Sequence, residues 1–323
     1  MNFLKDIELR PTIISQILFG KMIIYRNLNI KKEHKNSIVA IGNFDGLHLG
    51  HQKVLKEARE KAKSKKLKFG LITFEPVPTM FFNKSIKNHR INSLNQKIYF
   101  LKKMKLDFLI IINFNKIFAN LNAEEFIKKV LFKKIKSKYI FVSKNFKFGK
   151  KRLGDVNALI KFEKKYFYET IITIPHKKRE KIISSTLIRK IIYKGRVQEV
   201  KKLLGRHWCV EGEVIKGSQR GRKIGFPTCN IELNSYTLPK LGVYSVQVPI
   251  NNSKKRGIAN IGYRPTFNGK NLLLEVNIFG IKKNLYKKIL KISFIKFIRA
   301  EKKFENINQL KVQIKKDIVS AKK

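Results

Sequence analysis

Ile38-Val39-Ala40-Ile41-Gly42-Asn43-Phe44-Asp45-Gly46-Leu47-His48-Leu49-Gly50-His51 is the stretch whose reading decides the fold. Residues 38–44 read as a buried strand, and residues 50–65 as a helix with Val54, Leu55, Ala58 and Ala62 on one face. Gly42, Gly46 and Gly50 permit sharp turning and close approach of the backbone to a ligand. A strand that opens directly into a helix aims the helix's first N–H groups, and the positive end of its dipole, at an anion. His48 and His51 stand three apart at that junction, so both rings can face one anion. A lone histidine there would be ordinary packing or surface. Two histidines and three glycines around one junction point to a triphosphate site.

Outward from this stretch the same alternation continues. Residues 69–74 read as a strand, 93–104 as a helix capped by Ser93, and 108–114 as a strand. Asn122 and Glu125 form a capping-box start for a helix through Lys133, and residues 139–142 and 170–174 complete the strands. This is the pattern of an α/β domain with a mostly parallel sheet, whose ligands sit at the carboxyl ends of the strands. After a helical stretch over 186–204 the texture changes. Residues 210–215, 243–248, 258–261, 272–279 and 289–294 read as strands between Gly, Pro and Asn turns, and helix returns only at 307–321. The second half is therefore expected to be a small antiparallel barrel with a terminal helix. The boundary falls near Leu204, giving domains 1–203 and 204–323; no internal repeat or low-complexity linker is visible.

With 323 residues the chain is long enough for each half to bury its own core. Its loudest compositional feature is charge: 72 Lys and Arg against 22 Asp and Glu, a net +50. That invites a nucleic-acid reading. The cations are spread along the whole chain and are mostly Lys, whereas base reading and phosphate clamping favour the Arg fork. Abundant Lys, Asn, Ile and Phe together fit drift toward AT-rich codons. The expectation is no specific nucleic-acid partner, with weak attraction to RNA through charge alone. Against that background the arginines are informative: Arg152, Arg189, Arg206, Arg220, Arg222, Arg264 and Arg299 all fall in motif-like segments, as do Asp45 and Asp155. Apolar runs stop well short of the roughly 18 residues of a membrane span. Lys5, Asp6, Glu8 and Arg10 interrupt the N-terminal apolar residues, so no signal peptide is evident. Cys209 and Cys229 do not form a metal knuckle. A cytoplasmic protein without membrane attachment, monomeric or weakly oligomeric, is expected.

Three further blocks follow the histidine motif in order: Thr73-Phe74-Glu75-Pro76-Val77-Pro78, the run from Val142 to Asp155, and Ile183-Ser184-Ser185-Thr186-Leu187-Ile188-Arg189. The segment Gly42 to His51 resembles the GxFDGxHxGH signature of the nucleotidyltransferase superfamily. The later blocks resemble the TFEPHP, flavin-side and ISSTxIR blocks of the bifunctional riboflavin kinase/FMN adenylyltransferase family. The resemblance implies a Rossmann-like nucleotidyltransferase domain in which Gly42, Phe44, Asp45, Gly46, His48, His51, Ser184, Ser185, Thr186 and Arg189 bind ATP. It makes His48 and His51 catalytic, and places Asn145, Phe146, Arg152 and Asp155 on the flavin side. Adenylyl transfer at an α-phosphorus needs positioning and charge neutralisation rather than a covalent nucleophile, which such groups supply. Taken alone, Ser184 to Thr186 would be a helix cap. Val77 stands where many relatives have His, and Ser143 where many have Gly.

The second dense block is Gly217-Ser218-Gln219-Arg220-Gly221-Arg222-Lys223-Ile224-Gly225-Phe226-Pro227-Thr228-Cys229-Asn230. A glycine-rich basic loop can wrap phosphates, or it can be a surface turn. It lacks the GxxxxGK[ST] pattern of a P-loop. It resembles the riboflavin kinase sequence GxxRGRxLGFPTAN, with Cys229 for Ala. The resemblance implies ATP-binding by Gly217, Arg222 and Gly225, with Thr228 and Asn230 as ligands of Mg²⁺, a hard cation suited to oxygen donors. Gly262, Arg264, Pro265, Thr266 and Phe267 resemble the next block, and Leu274-Glu275-Val276-Asn277-Ile278-Phe279 resembles LEVHLF, with Asn277 for His. Residues 297–304 and the terminal helix complete the resemblance, with Gly280 for a frequent Asp. Alternation puts Glu275 and Asn277 on one sheet face. The resemblance makes Glu275 the general base for the ribityl hydroxyl; without it, Glu275 is an ordinary strand carboxylate beside lysines. Riboflavin, FMN and ATP are then the substrates. Rival expectations are retention of only one of the two activities, and a basic RNA-binding protein without flavin turnover.

Overall fold

The computed structural model describes residues 22–174, 177–178, 181–217, 219–266, 269–281 and 283–323; Ser218 and Phe267 of the motif-bearing segments lie outside the described residues. The described chain falls into two compact units. One comprises the described residues up to Phe44, then His51–Phe82, then 98–174; the other comprises Asp45–Gly50, Asn83–Lys97 and the described residues from 177 to 323.

The first unit holds a six-stranded sheet built from β1 (Ile23–Tyr25), β2 (Ile38–Ile41), β3 (Phe69–Glu75), β4 (Phe108–Asn113), β5 (Tyr139–Ser143) and β6 (Glu169–Thr173). Their order is β1-β4-β3-β2-β5-β6, and every pairing is parallel. The runs Ile38–Ile41 and Phe108 to Ile112 are fully buried because a parallel sheet is covered on both faces. Helix α1 (Leu49–Ser64) buries Val54, Leu55, Ala58 and Ala62, the face that its spacing predicts. Helix α2 (Leu94–Lys103) starts at Ser93, whose Oγ accepts from the Gln96 N–H at 3.1 Å. The capping box forms as expected: Asn122 Oδ1 accepts from the Glu125 N–H, and Glu125 Oε2 from the Asn122 N–H. That helix then passes into a π-helical stretch, Ile127–Ile135, which buries Ile127, Val130, Leu131 and Ile135.

The second unit is organised around a closed barrel of β9 (Cys209–Ile215), β10 (Cys229–Glu232), β11 (Gly242–Ile250), β12 (Ser253–Thr266), β13 (Gly269–Ile278) and β14 (Ile289–Arg299). A two-residue pair, β7 (Lys177–Lys178) with β8 (Lys181–Ile182), precedes it. The barrel order is β10-β13-β12-β11-β14-β9, antiparallel throughout. Its interior is filled by Val210, Val214, Ile231, Val246, Ala259, Leu274, Val276 and Ile292, alternate residues of each strand. Trp208 stacks on Phe294 with centroids 4.7 Å apart. Helices α3 (Ser185–Tyr193) and α4 (Val197–Leu204) precede the barrel, and α5 (Ile307–Lys322) closes the chain. Ile314, Ile318 and Ala321 of α5 pack with Val243, Ile258 and Ile298. Arg299 makes a bidentate pair with buried Asp317 at 2.8–3.1 Å, fastening α5 to the end of β14.

Three sequence expectations are corrected. The strand predicted over 38–44 ends at Ile41, because Phe44 turns into the left-handed region at φ 47°. The helical stretch over 186–204 is two helices, broken at Gly195 with φ 73°. The sixth barrel strand, Cys229–Glu232, arises inside the block read as a phosphate loop.

Candidate active sites

In the first unit, the carboxyl end of β2 leads to Gly42 and Phe44. The Phe44 ring lies 5.0 Å from that of His51 in the first turn of α1. Thr73 near the end of β3 donates to the Asn43 carbonyl at 3.2 Å. On the proposed flavin side, Asn145 is exposed, and Phe146 stacks on Phe148 with centroids 5.4 Å apart and planes within 17°. Arg152 is exposed and left-handed at φ 60°. Asp155 caps the short helix Val156–Lys161: Oδ1 accepts from the Ala158 N–H at 3.1 Å and Oδ2 pairs with Lys147. The backbone bond and then the Lys147 ammonium hold its carboxyl below the usual aspartate range.

In the second unit, Asp45 is the hub. Its carboxylate is 2% exposed, accepts from the N–H groups of Ile91 and Asn92 at 3.0–3.2 Å, and pairs with Arg189 at 2.5 Å. Arg189 Nε also donates to the His89 carbonyl at 2.7 Å. The Ser185 hydroxyl donates to the Asp45 carbonyl at 2.8 Å, and Ser184 caps α3 by accepting from the Leu187 N–H, so the cap reading of that serine also holds. Thr186 is exposed. His48 is 5% exposed, and burial, reinforced by the charges of Arg206 and Arg189, lowers its pKa to about 4 despite Asp45. It is a neutral imidazole at pH 7. A Cβ on Gly50 would lie 3.1 Å from His48 Nδ1, so glycine there makes room for the ring.

The barrel carries the other constellation. Asn230 of β10 lies directly opposite Glu275 of β13, and Glu275 is opposite Asn260 of β12. Directly opposed side chains have Cβ atoms about 5 Å apart, so Asn230 and Glu275 share one outward patch. Asn230 is 8% exposed, and among the described residues its Oδ1 is a buried acceptor with no hydrogen-bond partner. Its amide nitrogen lies where a Cβ on Gly217 would be, 1.8 Å from that point. The loop before it is a tight turn: the short helix Arg220–Lys223, then Phe226 N–H to the Gly221 carbonyl at 2.8 Å. Arg222, Gly225 and Thr228 are exposed on this loop. Asn277 donates to the Pro227 carbonyl at 2.7 Å and so fastens the segment that bears Thr228.

Sequence reading missed the buried polar set of Asn92 and Gln96, and the roles of Arg206 and Asp317. The signal for Arg206 was its identity: an Arg kept where this chain ordinarily writes Lys.

A FAD synthetase family model matches residues 30–187, and a riboflavin kinase family model matches residues 204–323. A bifunctional riboflavin kinase/FMN adenylyltransferase of Buchnera aphidicola subsp. Schizaphis graminum is 40% identical over 299 residues, spanning 91% of this chain and 96% of the relative. The chain belongs to the bifunctional riboflavin kinase/FMN adenylyltransferase family. Family members of the same description from Haemophilus influenzae and Escherichia coli are 37% and 33% identical, covering 91% and 88% of this chain and 96% and 91% of theirs. A solved structure from Streptococcus pneumoniae, described as a macrolide-efflux protein, is 32% identical with a TM-score of 0.81, covering 93% of this chain and 98% of its own. Among the described residues of this chain no helix is long and apolar enough to cross a membrane.

Proposed function

We propose that this family member makes both flavin cofactors: residues 204–323 phosphorylate riboflavin to FMN, and residues 1–203 adenylylate FMN to FAD. The ranges of the two family models support this division. In the first reaction the ribityl hydroxyl oxygen attacks the γ-phosphorus of ATP, the bond to the β-phosphate oxygen breaks, and ADP leaves. Glu275 takes the hydroxyl proton, and Gly217, Arg222 and Gly225 hold the phosphates. In the second, an FMN phosphate oxygen attacks the α-phosphorus in line and pyrophosphate leaves. His48, His51, Ser184, Ser185 and Arg189 hold the ATP phosphates with the Gly42, Phe44, Asp45, Gly46 and Thr186 segments, while Asn145, Phe146, Arg152 and Asp155 contact the flavin. Asp45 acts through Arg189, because its carboxylate is already taken up by Ile91, Asn92 and that guanidinium.

The observation that carries the kinase reading is the pairing of Asn230, whose buried oxygen has no partner among the described residues, against Glu275. A buried carbonyl oxygen without a donor fits a hard cation, so Thr228 and Asn230 suit Mg²⁺, which would neutralise phosphate charge there. Magnesium is assigned the same charge-neutralising role in adenylylation. The neutral imidazole of His48 is a hydrogen-bond donor to phosphate that adds no fixed charge. Purified protein incubated with riboflavin, ATP and Mg²⁺, its products resolved by chromatography, is expected to give FMN and then FAD. Accumulation of FMN without FAD, or conversion only of supplied FMN, would reduce the protein to one activity.

A further inference from the structure

We propose that Arg206 is a positioning residue for adenylyl transfer, holding the Gly46–Leu47 turn in the shape that presents His48 to the ATP phosphates. Its guanidinium is spread over four oxygens of the second unit. One terminal nitrogen donates to the Gly46 carbonyl at 2.6 Å and to Asn92 Oδ1 at 3.1 Å; the other donates to the carbonyls of Leu47 and Leu204, both at 3.2 Å. The turn it grips is one that bulky residues resist. Leu47 sits at φ 40° and Phe44 at φ 47°, left-handed conformations that persist only where surroundings enforce them. Asn92, which takes one arm of the fork, gives its own N–H to Asp45, so Arg206 and Arg189 brace the turn from both ends.

The placement in the chain gives this brace its interest. Arg206 lies in the stretch that the riboflavin kinase family model covers, whereas Gly46, Leu47 and Asn92 lie in the stretch covered by the FAD synthetase model. The residues beside Arg206 act in the same direction. Trp208 Nε1 donates to the Ile91 carbonyl at 2.9 Å, and Gln96 Nε2 donates to the Cys209 carbonyl at 3.2 Å. A guanidinium suits this work because its planar fork reaches several carbonyls at once, which a lysine ammonium on the same backbone does not reproduce. Burial lowers its pKa to about 10, which still leaves it charged at neutral pH.

The inference rests on the assignment of His48 to the ATP phosphates, and the test keeps the two apart. Arg206→Ala, Arg206→Lys and His48→Ala are made in the full-length chain. FMN adenylylation is measured with ATP varied, and riboflavin phosphorylation is measured on the same preparations. Misplacing the turn by an ångström is expected to cut kcat/KM for adenylylation roughly 10- to 100-fold in both Arg206 variants, with phosphorylation within about 2-fold of the parent. Millimolar guanidinium is expected to restore part of the loss in Arg206→Ala and none in His48→Ala. Equal loss of both activities without guanidinium rescue would make Arg206 merely structural and overturn the proposal. Should Arg206→Ala fail to fold, the Lys variant decides, and full adenylylation there overturns it. Impairment by His48→Ala alone overturns the positioning role and leaves the His48 assignment standing. Impairment by Arg206→Ala alone overturns both.

Discussion

Gly217→Ala places the kinase reading under a direct geometric load. A Cβ at residue 217 would lie 1.8 Å from Asn230 Nδ2 and 2.9 Å from its Cγ. The Asn230 amide would have to withdraw by about 1.6 Å to reach the 3.4 Å of ordinary contact. The amide is the end of a rotatable side chain, so the barrel can absorb the methyl with little loss of stability. The oxygen assigned to the metal cannot keep its place. A misplacement of an ångström at a reacting centre costs about 10²-fold, or about 2.7 kcal/mol in the barrier. Initial rates of FMN formation from riboflavin at saturating ATP and Mg²⁺ are therefore expected to fall about 10²-fold, while FAD formation from supplied FMN is unchanged. Phosphorylation within about 3-fold of the parent would refute the reasoning, because a 2.7 kcal/mol penalty cannot hide in so small a change.

Other consequences are smaller or concern stability. Gly50→Ala puts a Cβ 3.1 Å from His48 Nδ1, a fit needing only a few tenths of an ångström, so adenylylation should drop only several-fold and phosphorylation not at all. Asp317→Ala strands the half-buried Arg299 and is expected to cost about 3 kcal/mol in urea unfolding. A loss under about 0.5 kcal/mol would show that α5 does not depend on the pair. His48 has a folded pKa near 4 against 6.5 when unfolded. The unfolded chain therefore holds more protons between those values, and stability falls as pH drops through that window. The contribution of His48 is at most about 3 kcal/mol, seen as a shallower pH dependence in His48→Gln. Binding of ATP should raise the His48 pKa toward neutrality, observable by NMR titration of the ring. A value that stays near 4 in the ATP complex would make His48 a packing residue.

Much of this was legible in the chain because local signals agreed with global ones. The apolar face of α1, the Ser93 cap and the Asn122–Glu125 box are short-range patterns that need no tertiary information. Strand Cys229–Glu232 was not legible. Its four residues follow Gly, Pro and Thr, and their strand character comes from pairing with β9 and β13, far away in sequence. Strand Ile23–Tyr25, three residues beside β4, was invisible for the same reason. In the sites, the motif residues could be named, but the work of Asp45 could not be. It requires knowing that the Ile91 and Asn92 N–H groups and the Arg189 guanidinium converge on one carboxylate. Asn277 was expected only as a departure, and its bond to the Pro227 carbonyl gives it a function in holding the Thr228 segment.

We propose that two sets of side chains, Glu275 with Asn230 and His51 with His48, run two different transfers on one chain. The most direct measurement follows FMN and FAD production separately in Glu275→Gln and in His51→Ala. Glu275→Gln is expected to abolish FMN formation and leave FAD formation from supplied FMN largely intact, with His51→Ala showing the reverse. Equal impairment of both steps by each substitution, in folded protein, would contradict the account.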